Sequence, residues 1–197
     1  MITSTVLIPA GSRIVGEAWS TLSATGSYFS SESSPKPVFK VGNPGDSGVI
    51  EITDIVFSTV GPVPGAILVE WNIRDPIGQQ GVAGMWDTHF RIGGSKGSNL
   101  GANECNKNFH SVTPTCYAAF LLLHLTKTSS AYLENVWVWT SDHDLDGDHS
   151  QISIYNARGV LIESTNGPIW MYGTASEHNV LYQYNIVNAQ NVLMAMI

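Results

Sequence analysis

Charge is what this sequence has least of. Its 197 residues include 9 Lys and Arg against 16 Asp and Glu, only 13% charged in all, for a formal net charge of -7. An ordinary soluble domain carries about 25%. The shortage of basic residues excludes a nucleic-acid binder that works by neutralising phosphates. It also excludes a chain built on long surface helices, whose wet faces need Glu, Lys and Arg. Long apolar runs are missing as well. The longest, Cys116 to Leu123, stops at His124, far short of the ~20 residues that cross a bilayer, so no membrane partner is expected. No secretory leader is legible: Met1-Ile2-Thr3 carries no positive charge, and Pro9 breaks the short stretch Thr5 to Ala10. Cysteine is nearly absent. Cys105 and Cys116 cannot make a zinc site alone, and no cofactor is called for. A loop-closing disulfide is the simplest reading, with buried free thiols as the alternative. Such a bridge contributes on the order of 3 kcal/mol in an oxidising compartment, which points to an extracellular protein.

Hydrophobic residues make up 43% and mean hydropathy is +0.04, with polarity carried by Ser, Thr, Asn and Gly. The chain is long enough for one domain with a real core. Stretches such as Val49 to Phe57 and Ala66 to Ile73 are β-branched and aromatic between turn signals, which predicts strands. Loops are expected at about 20–37 and 93–115, within a single domain over 1–197. Cys116 to Thr128 is the best helix candidate, although its apolar run suits a buried strand equally.

The second half repeats weakly. Asn135-Val136-Trp137-Val138, Gly159-Val160-Leu161-Ile162, Asn179-Val180-Leu181-Tyr182 and Asn191-Val192-Leu193-Met194 share one pattern, a residue tolerant of left-handed backbone followed by an apolar strand. Short strands recurring near 20 residues with Asn or Gly at the corners suit a parallel β-helix; a β-sandwich is the alternative. The final stretch, Asn191 to Ile197, is an apolar strand with no cap, so the chain reads as a truncated portion of a larger domain.

Several motifs invite a chemical reading. Gly45-Asp46-Ser47-Gly48 looks like a serine-protease nucleophile segment, but no histidine precedes it and a turn is the plainer explanation. Asp142-His143-Asp144-Leu145-Asp146-Gly147 opens like a calcium loop, but Ser153 stands where the bidentate Glu belongs. A solvated loop or a carbohydrate-gripping rim explains the acidic cluster better than a metal site. Trp137 and Trp139 alternate with valines and so share one strand face. An exposed indole there, with Asp142 three residues on, suits sugar binding: the ring stacks on the apolar sugar face and the carboxylate accepts from hydroxyls. Glu163 and Glu177 are lone carboxylates among the last strands. Desolvation beside Trp170, Tyr172, Tyr182 and Tyr184 could raise either into a general acid.

Four stretches, Val6 to Ser20, Val41 to Asp46, Trp137 to Asp144 and Gly167-Pro-Ile-Trp-Met-Tyr-Gly-Thr-Ala-Ser-Glu-His-Asn-Val-Leu-Tyr-Gln-Tyr184, closely resemble fungal exo-β-1,3-glucanases of glycoside hydrolase family 55, related to the pectate-lyase-like proteins. The resemblance implies an all-β fold of right-handed parallel β-helices and a chain cut from the second of two. It implies inverting hydrolysis of laminarin-type β-1,3-glucan from the non-reducing end. Trp139 and Asp142 correspond to the substrate-binding rim and Glu177 to an active-site carboxylate. The family's proton donor lies in a Gln-Thr-Glu-x-Pro-Tyr segment that is absent here. The resemblance thus makes the first β-helix and further C-terminal coils the missing partners, and the chain alone inactive.

Overall fold

The computed structural model describes residues 1–107 and 112–197. Residues 108–111 of the expected 93–115 loop lie outside the described residues. Among those described, helix is confined to two three-residue turns, Ser27–Phe29 and Pro114–Cys116, and the rest of the regular structure is strand.

The chain makes six passes over the same three surfaces. The first comprises Val6–Ile8 (β1) and Arg13–Ala24 (β2), and the second Lys36–Val41 (β3) and Ile50–Thr59 (β4). The third comprises Ala66–Trp71 (β5), Ala83–Trp86 (β6) and His89–Ile92 (β7). After a short strand Tyr117–Ala119 (β8), the fourth runs through Leu121–Leu125 (β9), Ala131–Glu134 (β10) and Trp137–Thr140 (β11). Tyr155–Asn156 (β12) precedes the fifth, Arg158–Ile162 (β13), Ile169–Tyr172 (β14) and Ala175–Glu177 (β15). The last is Tyr182–Ile186 (β16) and Val192–Ala195 (β17).

Like strands of successive passes pair in parallel. One six-stranded sheet runs β1-β3-β5-β9-β13-β16, a nine-stranded sheet takes the others, and β8 pairs with β12. The nine-stranded sheet is bent into two leaves. The first leaf holds the start of β2 and of β4, then β6, β10, β14 and β17. The second holds the ends of β2 and β4, then β7, β11 and β15. This is an all-β arrangement of parallel strands in curled sheets, consistent with a β-helix. Cys116 to Thr128 holds strands (β8 and β9) rather than a helix, because Leu123 and Leu125 face inward between apolar residues of neighbouring passes.

Period-2 alternation carries the core. Phe39, Val69, Leu123 and Val160 stack in register in one sheet, as do Ile52, Met85, Leu133 and Met171 in the other, all at most 3% exposed. Phe57 and Phe90, 5.2 Å apart, continue that interior stack under the second leaf. Each pass therefore buries its inner face against its neighbours and across its own interior, where Phe39 meets Phe57 at 5.0 Å.

The bend between the leaves has a backbone cause. Asp54, Asp87, Asn135, Gly173 and Met196 follow paired strands and all have φ between 48° and 57°. From the second pass on, one left-handed residue turns the strand here, whereas the first pass uses two, Ala18 and Trp19; Asn, Asp and Gly accept that geometry at the lowest cost. Asn135 Nδ2 also donates to Asp87 Oδ1, tying two corners together. Of the four corners expected from the sequence, Asn135 and Asn191 take positive φ. Gly159 is needed for clearance instead: a Cβ there would lie 2.3 Å from Ser176 Oγ.

One boundary differs from expectation. Ser20 to Ala24, read as loop, is strand paired with Ile55 to Thr59. Only Leu22 and Ala24 turn toward the core, an alternation too short to stand out among Ser and Thr, and the ladder of β4 supplies the order. Cys105 and Cys116 are joined in a disulfide, both 1% exposed.

Candidate active site

Strand β11 ends where the acidic segment begins, so the second leaf delivers Trp137, Trp139 and Asp142 in sequence. Trp137 and Trp139 do point the same way: their rings stack at 4.8 Å and 19°. Trp139 is nevertheless only 6% exposed, covered by its partner, and Trp137 is the half-buried indole that meets solvent. On this face Trp137 is thus the indole open to solvent, with Trp139 beneath it.

Parallel pairing sets Glu177 beside Trp139 one pass on. Trp137 Nε1–H donates to Glu177 Oε1 at 2.9 Å. Glu177 Oε2 lies 3.7 Å from His178 Nε2, and the same nitrogen lies 3.8 Å from Asp142 Oδ2. An indole, two carboxylates and an imidazole from two passes therefore form one solvent-facing cluster. Asp142 Oδ1 also lies 3.0 Å from His143 Nδ1. Partial burial of Asp142 would raise its pKa, but the His143 hydrogen bond and the His178 charge outweigh it and hold the carboxyl below its ordinary range. A carboxyl so held is an acceptor, suited to grip a hydroxyl or orient water.

The loop bearing Glu177 is fixed from behind by Asn179, which the repeat pattern marked as a corner. It is buried instead, at 6% exposure. Its Nδ2 donates to Ser176 Oγ, Gln183 Oε1 and the Glu177 carbonyl, and its Oδ1 accepts from Thr140 Oγ1. The left-handed residue here is His178, at φ 62°. Backbone amides left over at this turn are also met, since Asn179 N–H donates to Gln183 Oε1.

Two further groups in the same row, Trp19 and His89, escaped sequence reasoning. Trp19, lifted by a register shift between Val15 and Ser20, packs on His89 at 4.4 Å, and His89 meets Trp137 edge-on at 5.9 Å. Burial pushes the His89 imidazole below its ordinary pKa against the opposing charge of Asp87. Gly16 makes the shift possible, since any Cβ there would sit 2.1 Å from the Asp54 carbonyl oxygen. The signals lie in register between passes, not in spacing along the chain.

The remaining acidic residues brace loops. Asp144 Oδ2 accepts from Ala102 N–H, Asp146 Oδ2 from Lys96 N–H and Asp148 Oδ1 from Ser150 N–H. Asp146 also lies 3.5 Å from Arg91. Among the described residues no group of three or more His, Cys, Asp or Glu is arranged to hold a metal ion. Glu163 is elsewhere: it pairs with His124 at 2.8 Å on the outer face of the six-stranded sheet. Trp170 and Tyr172 belong to the first leaf, and Tyr182 and Tyr184 to the six-stranded sheet.

No known protein-family profile matches the chain. Individual curated proteins do. A protein of Arthroderma benhamiae named probable glucan endo-1,3-beta-glucosidase is 54% identical over 201 residues, covering all of this chain and 23% of its own length. Non-secreted LysM effector LysM15 of Penicillium expansum is 52% identical over 198 residues, all of this chain and 14% of its length. Glucan 1,3-beta-glucosidase of Cochliobolus carbonum is 40% identical over 198 residues, all of this chain and 24% of its length. The chain thus spans under a quarter of these relatives.

Proposed function

We propose that the chain is one segment of a β-1,3-glucan hydrolase and contributes one wall of its active site. The observation that carries this reading is the joining of Trp137, Glu177, His178 and Asp142, from two successive passes, in a single exposed cluster. Relatives named glucan 1,3-beta-glucosidases supply the substrate class.

In this reading the fold is a right-handed parallel β-helix, and the Trp137–Trp139 pair forms a wall against the apolar face of a glucosyl ring. Glu177, oriented by the indole N–H, is the catalytic carboxylate that the chain supplies. Asp142, held ionised, accepts from a sugar hydroxyl or from the attacking water. Hydrolysis proceeds from the non-reducing end with inversion, and the proton donor comes from a part of the parent protein outside this chain. The relatives' names divide on mode, since the Arthroderma protein's says endo. Secretion is part of the proposal. It is supported by the disulfide, although the Penicillium relative is named non-secreted.

The test uses the whole parent protein on laminarin. Glu177→Gln is expected to lower turnover by about 100-fold or more, and wild-type protein to release only glucose, first as the α-anomer by NMR. Unchanged turnover in Glu177→Gln overturns the assignment of Glu177. A second reading, a non-catalytic carbohydrate-contacting segment, is favoured by the effector name of one relative. Glucan binding without any hydrolysis by the wild type would establish it.

A further inference from the structure

The first leaf carries aromatic rings that the candidate site does not use. Its outward positions in three successive passes are Trp86, then Tyr132 and Glu134, then Trp170 and Tyr172, aligned by the registers Tyr132–Gly84, Tyr132–Trp170, Glu134–Trp86 and Glu134–Tyr172. Tyr172 is 37% exposed, and Trp86, Tyr132 and Trp170 are half-buried. Trp86 and Tyr132 lie 5.7 Å apart at 30°, and Tyr132 and Tyr172 lie 5.8 Å apart at 35°. The rings form a continuous ladder spanning roughly 10 Å along the stacking direction, two strand spacings.

Two glycines make room for it. A Cβ on Gly84 would lie 2.8 Å from the Trp86 six-membered ring, so this indole leans into the space where a side chain would stand. A Cβ on Gly81 would come within 3.3 Å of the Trp170 ring. Acceptors edge the ladder. Tyr132 Oη donates to Glu134 Oε2 at 2.7 Å, and Asp87 accepts from Asn135 at the corner.

Tyr132 has a ring on each side, so C–H contact is left to the outer sides of Trp86 and Tyr172 and to Trp170, while the carboxylates and phenol offer hydrogen bonds at the edges. That combination matches a pyranose chain, which presents apolar C–H faces and hydroxyl rims. Aromatic faces carry the negative lobe of the ring quadrupole and favour such C–H groups. The acidic edge disfavours an anionic partner. The ladder is also continuous with the candidate site, since β10 and β14 reach β11 and β15 across the Asn135 and Gly173 corners.

We propose that this ladder is a second carbohydrate-contact surface, which holds a neutral polysaccharide chain alongside the candidate site. It rests on the glucan reading for the identity of the polymer. The role is to retain an insoluble or long chain on the protein while the candidate site acts on an end.

The experiment compares the whole parent protein with its Trp86→Ala/Trp170→Ala and Trp86→Phe/Trp170→Phe variants. Retention on insoluble β-1,3-glucan is measured, and Tm is followed as a check of folding. Retention is expected to weaken about tenfold or more in the alanine variant and to be largely kept in the phenylalanine variant, with little change in Tm. Hydroxyl-radical footprinting is expected to find the four rings reactive in free protein and protected when glucan is added. Undiminished retention in the alanine variant overturns the proposal. So do rings already shielded without glucan, which would mean that the rest of the parent protein covers this face. If wild-type protein cleaves laminarin while its retention ignores the ladder, only this proposal fails. If it neither cleaves nor binds glucan, the proposed function fails with it.

Discussion

The two leaves of the bent sheet draw on the same residue types and use them differently. On the second leaf Trp137 and Trp139 stack on each other within one strand, and the exposed indole spends its N–H on Glu177. On the first leaf Trp86, Tyr132 and Tyr172 stack between strands, pass to pass, with a carboxylate at the edge. Stacking within a strand leaves space beside the pair, and there the next pass brings Glu177 and His178. Stacking between strands fills the face and leaves no such space. Geometry of stacking, rather than aromatic content, separates the surface proposed for chemistry from the one proposed for adhesion. The left-handed corner residues, such as Asp87, Asn135 and Gly173, are what keep the two arrangements on separate planes.

The comparison can be broken first at what the leaves share. Phe90 lies at 0% exposure beneath the second leaf against Phe57, which runs on from the first. Phe90→Ala is expected to cost about 3–5 kcal/mol, read as a lowered denaturation midpoint, with both glucan retention and turnover falling together. Loss of only one would show the leaves to be independent units.

A smaller change should separate them. Trp137→Phe keeps a ring but removes the N–H that orients Glu177. Turnover of laminarin is expected to fall about tenfold, the worth of a hydrogen bond to a charged group, with retention on insoluble glucan unaltered. The corner itself comes next. Asn135→Ala places a Cβ residue without a helpful amide at φ 51° and is expected to cost about 1–2 kcal/mol, while Asn135→Gly recovers most of it.

Acid should distinguish the leaves most gently. The His89 pKa is depressed by burial, so the unfolded chain binds the extra proton and stability falls as pH drops below the ordinary value of 6.5. Asp142, also depressed, contributes stability above its ordinary 3.8 that is lost as pH falls further. His89 sits on the second leaf and Asp142 just beyond the end of it. His89→Gln is expected to flatten the upper part of that profile in thermal melts, and an unchanged slope would remove His89 from it.

Much of the strand pattern was legible because inward residues alternate, and Asn135 and Asn191 announced real corners. The pairing of Trp137 with Trp139 followed from period 2 alone. What stayed hidden depends on register. Val69 pairs with Leu123 across a long excursion, whereas Val160 pairs with Tyr184 across a short one, so no fixed period could align His178 with Asp142 or Trp19 with His89. Ser20 to Ala24 was hidden for a different reason, since a neighbour's ladder, not its own composition, makes it a strand. The acidic run after β11 suggested one function for four carboxylates, yet backbone amides occupy three of them and leave Asp142 to the cluster.

The most direct test is a structure of the whole parent protein with a β-1,3-linked glucose trimer bound. The expected result is a glucosyl ring against the exposed face of Trp137, with Glu177 within hydrogen-bond reach of the glycosidic region and Asp142 accepting from a hydroxyl or an ordered water. A trimer seated in a cleft that Glu177 and Asp142 do not line would contradict the assignment.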